Sequence, residues 1–213
     1  DSLLLLSESI AVKDADELNS TKIAAKASAV MMDVFANDMM TTVDEELKIT
    51  NSQLADKIEA KIDSDRWWTK SSTGKKLFDR GLEADFIDWC YLPIVQLGGR
   101  YDLKPSAQLD SKRLVGDGII IAQLGLRYKL YCSNIARTFL IDPTKEQEDV
   151  YDALVKIQEL VAAELTPGKS LNAIYKFAVD QFKKENESWA EKITKNVGWL
   201  TGIEFRDSLF VLN

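Results

Sequence analysis

Residues 118–141 read GIIIAQLGLRYKLYCSNIARTFLI, three short apolar runs set one after another. The runs 118–124, 126–132 and 135–141 are rich in Ile, Leu, Tyr and Phe and are bounded by glycine or polar residues, the pattern of β-strands. A parallel crossover needs a dozen or more residues between strands, and here there are only one or two, so the runs are expected to pair as antiparallel hairpins.

Working outward, 91–97 is a fourth strand-like run, and helical patterns lie on both sides of the strand cluster. Upstream, Asp14 and Glu17 form a capping-box pattern, and Leu18, Ala25, Ala29, Met32, Phe35 and Met39 follow at helical spacing, which predicts a long helix over 14–40. Leu54, Ile58 and Ile62 mark a second, shorter helix after Thr50-Asn51-Ser52. Residues 63–85 have no sustained period and read as a loop-rich excursion. Downstream of Asp142-Pro143, Thr144 and Gln147 repeat the capping-box pattern, with Val150, Leu154, Ile157 and Val161 on one stripe, and Thr166-Pro167-Gly168 stops that helix. A helix over 170–184, a polar helix near 186–195 and strand-like runs at 202–205 and 209–212 complete the chain. The order helix, helix, strands therefore occurs twice, a weak duplication of elements. It predicts an α+β layer in which helices cover one face of a curved antiparallel sheet. A chain stopping inside an apolar strand is expected to continue past Asn213.

Composition sets the chemistry. The 213 residues include 46% hydrophobic and 29% charged, an ordinary globular balance, and 4 Pro and 10 Gly leave little material for a linker, so one compact unit is expected. There is no histidine, which removes Ser-His and Cys-His nucleophile systems and His-rich zinc sites. Cys90 and Cys132 are too few for a thiolate cage or a disulfide framework, and a reducing compartment is the default. A net charge of −7 disfavours a domain built to grip nucleic-acid phosphates and favours basic partners. The apolar run 3–6 is too short for a signal peptide, and no stretch approaches the roughly 20 apolar residues of a membrane span.

Minor features read blandly. Residues 69–76 hint at a phosphate loop but lack its first glycine and a preceding strand, so a solvated loop is expected. Trp67, Trp68 and Trp89 read as core aromatics, a peptide groove being the alternative. Cys132 reads as a small buried residue rather than a nucleophile, and Lys183-Lys184-Glu185 as a solvated helix end.

The stretch 122–139 also resembles the metallopeptidase family of aminopeptidase P, prolidase, methionine aminopeptidase and creatinase, whose peptidases read D-x-G-x-x-Y-x-G-Y-x-S-D-x-T-R-T there. Gly125, Tyr128, Tyr131, Ser133, Arg137 and Thr138 are retained, while Gln123 and Asn134 stand where the two metal-binding aspartates would be. Residues 199–207 line up with the family's H-G-x-G-x-E-x-H-E, with Trp199 on the metal-binding histidine and Arg206 on the second histidine. The substrate-side histidine expected near 98–105 is absent too. Two hydrolytic metal ions need anionic carboxylates and an imidazole, whereas Gln and Asn are neutral, indole N–H is a donor only and arginine is a fixed cation.

Within that family, residues 97–103, 131–134 and 202–208 are similar to the branch formed by the large subunits of the FACT histone chaperone complex. The resemblance runs from about Val12 to Asn213. It implies the pita-bread fold, with residues 1–213 as most of its larger C-terminal lobe, truncated at the C-terminus, lacking the preceding smaller lobe and having no second domain. The two final glutamate ligands of the family would lie beyond Asn213. It further implies no catalytic residue, no metal and no cofactor, and a degenerate former-ligand pocket of Gln123, Asn134, Trp199 and Arg206 that contacts a peptide or histone. For the whole subunit it implies nucleosome reorganisation in transcription, replication and repair, in the nucleus and on the chromosome. Its partners would be histones, the H3–H4 pair, the H2-type dimer or both, and an HMG-type smaller subunit reached through other domains. Neither membrane nor sequence-specific nucleic-acid binding by this domain is expected. The rivals are an active metal-dependent aminopeptidase or prolidase, which the replaced ligands oppose, and a structural docking lobe for chromatin factors.

Overall fold

Asp14 accepts hydrogen bonds from the backbone of Asp16 and Glu17 while Glu17 reaches back to the Asp14 N–H, and this closed capping box starts helix α1, Ala15–Asp44. The computed structural model describes residues 5, 8–9, 11–62, 65–79, 81–99, 101–102, 104, 107–109, 111–114, 118–207 and 210–213. Leu3, Leu4 and Leu6 of the N-terminal run, Arg100, Leu103 and Pro105 of the 97–105 region, and Ser208 and Leu209 lie outside them. The chain divides into two compact units, Asp1–Asp142 with Thr201–Phe205, and Pro143–Leu200 with Arg206–Asn213.

In the first unit α1 is followed by α2, Asn51–Ile62, whose Leu54, Ile58 and Ile62 are buried as their spacing predicts. The supposed loop over 63–85 instead holds helices α3, Asp65–Lys70, and α4, Ser72–Phe78, and a 3₁₀ turn at Ala84–Phe86. Elements of six and seven residues span less than two turns and show no period to read. The Ser71 hydroxyl, caps α4 through the Gly74 N–H at 2.9 Å, so 69–76 is a capped helix junction, neither a phosphate loop nor a solvated loop.

The sheet is antiparallel. Strand β1, Ile87–Leu97, pairs along one edge of β2, Gly118–Tyr128; β3, Tyr131–Cys132, and β4, Ile135–Ile141, pair along its other edge. Runs 118–124 and 126–132 are thus not two strands split at Gly125. The chain stays extended through Gly125 and reverses at Lys129 and Leu130, both left-handed with φ of 48° and 74°. Ala24, Ala27, Met31 and Phe35 of α1 and Leu54 and Ile58 of α2 share one core with Val95, Ile120, Leu124 and Leu126 of the sheet. Trp68 and Trp89 are buried in that core, which decides for packing over a groove at those two positions. The Ser28 hydroxyl links helix to sheet by accepting from Leu126 N–H at 2.9 Å and sharing a 2.7 Å bond with Ser133.

The second unit contains α5, Lys145–Glu164, started by the Thr144–Gln147 capping box, α6, Leu171–Glu185, α7, Glu187–Ala190, and the strand pair β5, Gly198–Trp199, with β6, Val211–Leu212. Three expectations shift here. Ala153 and Ile157 are the buried residues of α5, while Leu154, placed on its core stripe from sequence, is exposed. The polar helix near 186–195 is only four residues long, and the strand lies at Gly198–Trp199 rather than at 202–205.

Candidate functional site

Gln123 sits mid-strand in β2, opposite Ile94 on β1 and Ala136 on β4. Asn134 lies in the break between β3 and β4, two residues before Ala136, and two-residue alternation puts it on the same face of the sheet as Gln123. The residue that organises this face is Tyr91. Two register shifts in β1 bring it opposite Gly125, its ring crosses over that glycine, and its hydroxyl donates to Asn134 Oδ1. An added Cβ on Gly125 would stand 2.8 Å from Tyr91 Cε1 and closer still to the Ser133 carbonyl oxygen. Phe205 packs edge-on against Tyr91 at 5.0 Å between centroids. Burial, with the Cys90 thiol nearby, pushes the Tyr91 phenol well above its usual range, so it stays a proton donor. The Gln123 Nε2 atom is buried without a hydrogen-bond partner.

Beside this group the two cysteines, 42 residues apart in the chain, are neighbours. The neighbouring Cys90 thiol, together with the positive Arg127, pulls the Cys132 thiol down from its usual range, while Cys132 and burial push Cys90 up. Both thiols are free. Cys132 is buried, its N–H donates to the Gly202 carbonyl at 2.7 Å, and its sulfur lies 3.3 Å from the Ile203 carbonyl. With no imidazole in the chain to take a proton, and a covered sulfur, the thiol is a poor nucleophile toward substrate.

In the second unit, Trp199 on β5 pairs with Val211 on β6, and the returning chain sets the Arg206 guanidinium 5.5 Å from the centre of the Trp199 ring. The contact is a cation held over an aromatic face, and Arg206 Nε is buried without a hydrogen-bond partner. Gln123 and Asn134 thus belong to one unit and Trp199 and Arg206 to the other.

None of the four positions suits a metal ion. Asn134 has no charge and its oxygen already accepts from Tyr91, Gln123 buries an N–H donor, Trp199 offers no lone pair, and Arg206 brings a permanent positive charge. Among the described residues no group of three or more His, Cys, Asp or Glu is placed to hold a metal. Sequence reasoning missed Tyr91, Phe205 and the Cys90–Cys132 pair. Tyr91 and Cys90 lie around the β1 register shifts, which carry no local signal.

Residues 19–213 match metallopeptidase family M24. The chain is 57% identical over 216 residues to FACT complex subunit SPT16 of Debaryomyces hansenii, covering 100% of this chain and 21% of that protein. It is 51% identical to FACT complex subunit SPT16 of Candida albicans, covering 100% of this chain and 20% of that protein. The chain therefore spans about a fifth of the length of these curated relatives. Among solved structures, the N-terminal domain of FACT complex subunit SPT16 from Eremothecium gossypii superposes with a TM-score of 0.91 at 41% identity, over 99% of this chain and 48% of that one. An X-Pro aminopeptidase from Thermotoga maritima reaches a TM-score of 0.72 at 19% identity, over 97% of this chain and 51% of that one, a likeness of fold alone. The chain belongs to metallopeptidase family M24, has its pita-bread fold, and is similar over its whole length to the N-terminal domain of FACT complex subunit SPT16.

Proposed function

We propose that the chain is a non-catalytic, peptidase-like module of a histone chaperone and forms most of the larger C-terminal lobe of that module. The observation that carries this reading is the 57% identity to FACT complex subunit SPT16 along the entire chain. The chemistry of the former ligand positions supports it, because neutral amides, an indole and a guanidinium neither hold hydrolytic metal ions nor activate water. In the whole protein the module would serve nucleosome reorganisation in transcription, replication and repair, in the nucleus, with the HMG-type smaller subunit engaged through other domains. Its own ligand would be a histone surface or tail, which the net charge of −7 favours. Gln123 and Asn134 in one unit, and Trp199 and Arg206 in the other, are the proposed contacts.

The test is titration of the purified chain with H3–H4 tetramers, H2-type dimers and isolated tails at 0.1 M and 1 M salt, between which the screening length shrinks from about 10 Å to about 3 Å. Binding to at least one form, weakened by salt, is expected, and no binding to any of them would overturn the reading. Trp199→Ala and Arg206→Glu test the contacts in the second unit: unchanged histone affinity in both would reject these two residues. Hydrolysis of Xaa-Pro peptides by the chain with added manganese, cobalt or zinc would overturn the non-catalytic assignment.

A further inference from the structure

Apolar residues wrap more than half of helix α5, and only part of that arc, marked by Ala153 and Ile157, is buried. At about 100° per residue, Ala153 and Ile157 mark the buried side. Leu154, Leu165, Ala162 and Val155 fall about 100–200° round from Ala153. All four are exposed, Leu154 at 45% and Leu165 at 52%. A surface helix normally turns polar residues to water at that angle, so an exposed apolar stripe there is area left for another molecule.

The rim of the stripe says what kind of molecule. Glu148, Glu159 and Asp152 follow it at about 220–260° as an acidic rail, all three exposed. The helix carries six acidic residues against two lysines, a net −4 within a chain of −7. Both lysines are engaged: Lys145 lies 3.0 Å from Asp149 and 3.5 Å from Glu148, and Lys156 pairs with Glu185 on α6. Among the described residues no cation pairs with Asp152 or Glu159. A ligand that places leucine-like side chains on the stripe and lysine or arginine beside the rail satisfies both features, and one amphipathic helix presents both at matching spacing.

We propose that this solvent face of α5 is a docking surface for a basic amphipathic helix of a partner protein. It stands on the residues of α5 and its C-cap Leu165 and does not depend on the histone reading.

Two synthetic 18-residue helical peptides with the same leucine face, one with lysines and the other with glutamates on the polar face, are titrated against the chain by calorimetry. The lysine peptide is expected to bind at least tenfold more tightly than the glutamate peptide. Leu154→Asp with Leu165→Asp, and separately Asp152→Lys with Glu159→Lys, should each weaken it at least tenfold, with circular dichroism unchanged. The second pair alters only exposed charges and keeps the test sound if the first pair unfolds the helix. Equal affinity for the two peptides, or a lysine-peptide affinity that neither pair moves, overturns the proposal. Concentration-dependent dimerisation abolished by the leucine variants, without lysine-peptide binding, also overturns it and assigns the face to a second copy. Histone binding without lysine-peptide binding refutes this surface and leaves the chaperone reading standing, and the reverse result does the opposite.

Discussion

Gly125→Ala tests the arrangement of the sheet face directly. Gly125 has an ordinary negative φ, so backbone freedom is not the reason for a glycine; the reason is crowding. A methyl carbon there would sit 2.8 Å from Tyr91 Cε1, about 0.6 Å inside the 3.4 Å at which ordinary contact begins, and would press harder on the Ser133 carbonyl oxygen. The ring can rotate away, but the carbonyl is backbone. It belongs to a residue tied to β2 by a 2.8 Å bond from Ser133 N–H to the Leu126 carbonyl, and β2 is clamped between β1 and β4. Overpacking of this kind costs about 1–3 kcal/mol. Turning Tyr91 aside also loses its bond to Asn134, about 1 kcal/mol more, for a total near 2–4 kcal/mol. A chain of this size loses about 2–4 °C in Tm per kcal/mol, so the melt should fall by roughly 4–16 °C. Thermal unfolding followed by far-ultraviolet circular dichroism reads this out. Repeating it on Tyr91→Ala as background isolates the ring, because Gly125→Ala should then cost measurably less. A Gly125→Ala melt within about 1 °C of the parent would refute the crowding argument.

The Tyr91 phenol is raised by burial, so it stays neutral in the fold while the unfolded chain ionises above about pH 10; its stabilisation is present below that pH and is lost above it, at up to about 1.4 kcal/mol per pH unit. Tyr91→Phe should therefore melt lower than the parent at pH 7 but lose Tm less steeply above pH 10, and parallel pH profiles would count against the buried-phenol account. Phe35, fully buried and 6.0 Å from the Phe139 ring, should cost about 3–5 kcal/mol on replacement by Ala in urea titrations. Restoring two carboxylates with Gln123→Asp and Asn134→Asp should give neither stoichiometric metal by elemental analysis nor turnover of Xaa-Pro peptides, since Trp199 and Arg206 remain and no imidazole is available.

What was legible in the sequence was whatever a few neighbouring residues decide. Asp14 with Glu17 and Thr144 with Gln147 start helices in the structure where the pattern places them, because a capping box satisfies its donors within four residues. Strand β4 is likewise complete at 135–141. Errors arose where the deciding partner is remote. Gly125 looked like a strand end, yet it is the point where Tyr91 crosses an unbroken strand. Leu154 looked like core because leucine is apolar, and nothing in the α5 sequence tells which part of its wide apolar arc meets a neighbour. Residues 202–205 looked like a strand, but they form an irregular loop whose Gly202 carbonyl accepts from Cys132.

The site divides in the same way. Residue type is a property of the chain, so the poor metal-binding chemistry of Gln123, Asn134, Trp199 and Arg206 follows from the residues themselves, while their standing at ligand positions is what the family resemblance implies. The donor that now holds Asn134 was not legible, since Tyr91 reaches it only through two register shifts in β1. That contact also bears on the charge of this face. In a dimetal enzyme the cations neutralise carboxylates gathered on the sheet face; if the metals leave and the carboxylates stay, like charges repel. An amide at 134 carries no such charge, and its oxygen takes a neutral phenol as donor. A carboxylate returned to 134 would still accept from Tyr91. The melt of Asn134→Asp is therefore expected to lie close to that of the parent, because the Tyr91 hydroxyl donates to a carboxylate oxygen as it does to the amide, and a fall of several degrees would refute this.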